Sequence, residues 1–110
     1  MSKDELGCTL AKLRADYAEQ LPATVAQMED LWRQLVAAEI TSPRLAELGR
    51  MAHSIAGSGT TFGVPNATRA ARDLECFLDR YTQSGQLPGR TEQETVSALL
   101  AALRQAAVRT

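Results

Sequence analysis

The sequence predicts an all-α chain: an antiparallel four-helix bundle with an additional N-terminal helix. Three observations carry that expectation. Apolar residues recur at spacings of three and four through nearly all of the 110 residues. Aromatic residues are only 5% of the chain and alanine and leucine dominate the apolar set, whereas strands draw on Val, Ile, Thr and aromatic side chains. Pro- and Gly-containing breaks divide the chain into five short-linked helical segments. At this length one domain is expected, spanning residues 1–110.

The first segment covers roughly residues 4–20, with Leu6, Leu10, Leu13 and Tyr17 on one face. Pro22 marks a break, or the first turn of a second helix over residues 22–38. That helix carries Val25, Met28, Leu31, Trp32, Leu35 and Val36, read as core packing. The first segment either packs across one end of the bundle or extends the second. Ser42 fits an N-cap and Pro43 the first helical position of a third helix, running to about Thr61. Gly63 is expected to cap it. The fourth helix, residues 65–82, places Ala67, Ala70, Ala71, Leu74, Phe77, Leu78 and Tyr81 on one side. Thr91 and Glu94 form a capping-box pattern at the start of the fifth, whose apolar face is Val96, Leu99, Leu100 and Leu103.

Composition narrows the function. The net charge of −1 and the scattered arginines argue against nucleic-acid binding. No run is long and apolar enough to span a membrane, and the start of the chain lacks the apolar core of a signal peptide, so a cytoplasmic setting is expected. Cys8 and Cys76 are far apart in sequence, and with a single histidine they make a poor metal set, so no metal site is expected. Cys76 reads as a small buried or half-buried hydrophobe.

The single histidine, His53, lies in AHSIAGSGTTFG, residues 52–63. On a helical wheel Leu45, Leu48, Ala52, Ile55, Gly59 and Phe62 define the core sector, and His53 falls about 130° from its centre. The imidazole is therefore expected to face outwards. Its helical neighbours are Gly49, Arg50, Ala56 and Gly57, three of them nearly without side chain. Gly49, Gly57 and Gly59 together cost a helix roughly 2–3 kcal/mol relative to Ala. Gly59 lies on the core sector, where close helix contact accounts for it. Gly49 and Gly57 lie outside, where only access to the ring accounts for them.

The run His53-Ser54-Ile55-Ala56-Gly57-Ser58-Gly59, followed by Phe62-Gly63 and by Leu74-Glu75 in the next helix, resembles the signature of histidine-containing phosphotransfer (HPt) domains. The resemblance implies a phosphorelay carrier, with His53 accepting a phosphoryl group from a receiver-domain aspartate or a histidine kinase and passing it to a response-regulator receiver. It implies a hybrid histidine kinase and receiver domains as partners, and Mg²⁺ supplied by the receiver rather than bound by this chain. Gly49, Arg50, Ser54, Ala56, Gly57 and Thr60 are the expected site-lining and docking residues. Family members often carry Lys where this chain has Ala56, and Arg50, one turn before His53, is the candidate replacement cation. The chain shows no nucleotide-binding loop, so no kinase activity of its own is expected, and it is expected to act as a monomer. The competing reading is an HPt-like module that docks on a kinase or receiver without carrying phosphate.

Overall fold

The computed structural model describes residues 3–109. They form four helices: α1 (Lys3–Ala37), α2 (Ser42–Phe62), α3 (Pro65–Ser84) and α4 (Arg90–Arg109). No strand occurs among the described residues. Each helix packs on the next and α4 returns to α1, which closes a four-membered ring. The links at residues 38–41, 63–64 and 85–89 are too short for anything but antiparallel neighbours.

The expected additional N-terminal helix is not separate: residues 4–20 and 22–38 run together as α1, with Pro22 inside it. A helix-interior proline costs about 3 kcal/mol. Packing on both sides of it outweighs that cost. Leu21 and Val25 are buried, and Tyr17 stacks on Phe62 with ring centroids 4.8 Å apart. Burying one such side chain is worth about 1.5–3 kcal/mol. Because Phe62 ends α2, residues 3–16 run past the end of that helix for about 20 Å. Leu6, Leu10 and Leu13 share a face there but are exposed, not part of the core.

The core is built from Leu21, Val25, Met28, Trp32 and Leu35 of α1, Leu45, Leu48, Ala52 and Ile55 of α2, Leu74 and Leu78 of α3, and Val96, Leu100 and Leu103 of α4. Trp32 satisfies its indole N–H by donating to Ser97 Oγ at 3.0 Å, which ties α1 to α4. Val36 and Cys76 are exposed, contrary to expectation, because their positions fall just outside the buried sector of their helices. Two caps also differ. Thr41 is the N-cap of α2, so Ser42 and Pro43 move one position inward. Arg90, not a capped Thr91, opens α4, where Gln93 N–H donates to Gly89 O and Gln93 Nε2 to Pro88 O, so the Thr91–Glu94 box is not formed.

Gly63 caps α2 as expected, at φ 73° in the left-handed region. Val64 then donates back to Gly59 O at 3.0 Å, and α3 leaves in the opposite direction. At the mouth of this turn Gly59 lies directly against Thr68, so that a Cβ there would collide with Thr68 Oγ1. Thr68 Oγ1 is held by donating to Val64 O at 2.9 Å, so it yields only by losing that bond. Gly59→Ala is expected to lower stability by about 1–3 kcal/mol in urea unfolding; an unchanged midpoint would show that the helices separate freely.

Candidate functional site

His53 stands on the outer edge of α2 beside α3, with 76% of its side chain exposed. The ring is nonetheless fixed. Its Nδ1 lies 2.6 Å from Glu75 Oε1 on α3, and the Glu75 side chain is only 22% exposed. An ionised carboxylate is an acceptor only, so Nδ1 carries the proton and donates it. In the neutral ring this leaves Nε2 with a free lone pair. In that tautomer the exposed Nε2 is chemically able to act as a nitrogen nucleophile at the surface of the α2–α3 pair.

Sequence reasoning placed Leu74-Glu75 in the next helix but did not tie the acid to the histidine. The signal was present: α2 and α3 are antiparallel through a two-residue link, so a carboxylate 22 residues on returns to the level of the ring. The alternation of Leu74 (buried) with Glu75 (half-buried) marks the boundary of the α3 face turned towards α2.

The remaining expected residues separate into distinct surroundings. Gly49 and Arg50 line a groove with His53, Glu75, Ala46, Asp79 and Thr82. Gly57 is exposed beyond the ring. Thr60 lies in the neighbouring groove near the α2–α3 turn, its hydroxyl donating to Ala56 O at 3.2 Å. Ser54 faces the other way, towards Tyr17 and Gln20 of α1. Ala56 does not clear surface around the ring: it is 5% exposed and belongs to the core, since it falls at the edge of the sector that meets α3.

Tyr17 and Ser58 line the same α1-facing groove as Ser54, away from the ring; there burial pushes the tyrosine hydroxyl above its usual pKa, with a smaller opposing effect from its hydrogen bond to Ser58. The two outward glycines have no packing reason. A Cβ at Gly49 or Gly57 meets nothing within 4 Å. Among the described residues no group of three or more His, Cys, Asp or Glu lies together as a metal-holding set. No described helix is long and apolar enough to cross a membrane.

A family model described as the Hpt domain matches residues 12–106, nearly the whole chain. No curated protein and no solved structure matches.

Two outcomes follow from this geometry. Gly49→Ala and Gly57→Ala are each expected to raise stability, by up to about 1 kcal/mol in urea or thermal unfolding. In Glu75→Ala the share of neutral His53 protonated on Nδ1 is expected to fall, read from imidazole ¹⁵N shifts; an unchanged tautomer would show that the carboxylate does not set it.

Proposed function

The chain belongs to the Hpt domain family, whose members transfer phosphoryl groups through histidine in phosphorelays, and from that premise we propose that His53 is the phosphoacceptor of this chain. The observation that carries the proposal is the 2.6 Å bond from Nδ1 to Glu75, with the rest of the ring open to solvent. In the reading proposed here the Nε2 lone pair attacks the phosphorus of an aspartyl phosphate on a receiver domain. A nitrogen–phosphorus bond forms, the phosphorus–oxygen bond breaks, and the aspartate leaves as a carboxylate with the bonding pair.

The product ring is substituted on Nε2 and protonated on Nδ1, so it carries positive charge. Glu75, already hydrogen-bonded to Nδ1, offsets that charge without any change of partner. The same arrangement serves the reverse direction, because a cationic ring is a good leaving group when a second receiver aspartate attacks. Mg²⁺ is assigned to the receiver's carboxylates. Gly49 and Gly57 are read as clearance for the receiver, since in-line attack needs the two reacting atoms roughly 3–3.5 Å apart.

The test is transfer from receiver domains of the same cell, charged with acetyl phosphate. Acid-labile, base-stable phosphate is expected on the protein and none on His53→Gln. Gly57→Leu is expected to keep the helical circular dichroism of the wild type and to lose transfer by about a hundredfold, the size of effect that misplacing reacting groups produces. Receiver binding without any labelling would instead support the docking-module reading.

A further inference from the structure

The charges on the two sides of His53 are unequal. On the Arg50 side the groove holds two carboxylates, Glu75 and Asp79, against the single guanidinium. On the other side, towards the α2–α3 turn, a groove of about 440 Å³ is lined by Gly59, Thr60, Thr68 and two cations, Arg69 and Arg72, with no acid among its lining residues. Asp73 lies one residue beyond Arg72, about 100° further round α3, and does not line this groove.

The helix register fixes where the second cation stands. His53 is level with Glu75 and Gly59 with Thr68, so Arg72 is level with residues 55–56. That is one turn along from the ring, about 4.5 Å along the axis from Glu75. An arginine side chain spans that interval. It is also the level at which position 56 has a buried alanine in place of a cation.

Arg69 and Arg72 are both exposed and uncommitted. Arg33, Arg44 and Arg104 are held by Asp30, Gln34 and Glu29, and Arg80 lies over the Phe77 ring. Among the described residues no hydrogen bond or ion pair holds Arg69 or Arg72, nor Arg50, so charge and position, not freedom, separate them. A phosphoryl group on Nε2 brings two negative charges to the surface. With Glu75 paired to the cationic ring, towards Arg50 it meets one guanidinium beside the Asp79 carboxylate; towards Arg72 it meets a groove lined by two guanidinia and no acid.

We propose that Arg72, assisted by Arg69, is the cation that binds the phosphoryl oxygens at His53, in the role expected of Arg50. This rests on His53 being the phosphoacceptor. A planar guanidinium donates two parallel bonds to phosphate oxygens, so its contribution differs from that of a point charge.

The test needs no protein partner. Phosphoramidate phosphorylates the ring directly: Nε2 bonds to phosphorus, the reagent's own phosphorus–nitrogen bond breaks, and ammonia leaves. The rate is followed by mass spectrometry and ³¹P resonance at two ionic strengths. Arg72→Ala is expected to label about tenfold more slowly than wild type, the effect of one charged hydrogen bond. Its rate should also lose most of the salt dependence of the wild type. Arg72→Lys should recover part of the rate, and Arg69→Ala should slow labelling less than Arg72→Ala. Unchanged melting of Arg72→Ala would separate this from a folding defect. Wild-type labelling with Arg72→Ala at the wild-type rate, or a loss seen in Arg50→Ala alone, would overturn the inference while leaving His53 as acceptor. No label on wild-type His53 would overturn the premise together with it.

Discussion

The approach of α2 to α3 at Gly59 and Thr68 governs the rest of the molecule. It brings the two backbones close enough that a methyl group would not fit between Gly59 and the Thr68 hydroxyl. The two helices are joined by residues 63–64 alone, with Gly63 in the left-handed conformation. A tight turn and a small contact residue together fix both the spacing and the register of the pair. Six residues back along α2 that register sets His53 opposite Glu75, at 2.6 Å. A wider or slipped pair would leave the imidazole free to rotate.

The site is therefore a property of two helices, not of one. α2 supplies the nitrogen and the bare surface, and α3 supplies the acceptor that decides which nitrogen keeps the proton. The α3 ridge is also where charge changes sign, from Asp79 and Glu75 to Arg72 and Arg69 within three turns. The remaining helices hold this pair rigid. Trp32 and Ser97 join α1 to α4, and Tyr17 on Phe62 clamps α1 to the end of α2.

Stability is given up at two positions, which the proposed function reads as access to the ring. Gly49 and Gly57 weaken α2, and nothing inside the domain needs them, since a Cβ at either would reach no neighbour within 4 Å. Gly59 resembles them in sequence but does the opposite: it allows packing. The difference between these glycines is one of face, and helical periodicity alone separates them.

Periodicity and punctuation determined the number and position of the bundle helices, the core residues Met28, Trp32, Leu45 and Leu74, the Gly63 cap, and the outward direction of His53. These follow from 100° steps around a helix and from residue conformational limits, which are local. Continuity of α1 through Pro22 was not local, because it depends on Leu21, Val25 and Tyr17 finding partners on other helices. The exposure of Leu6, Leu10 and Leu13 has the same origin: their face is apolar, but α2 ends before it reaches them. Likewise the burial of Ala56, the separation of Ser54 from the ring and the pairing of His53 with Glu75 depend on where a neighbouring helix lies. The sequence by itself determined which residue faces out. Only the tertiary structure decided what stands beside it, because that is set by the distance and register between helices, to which no single helix's periodicity refers.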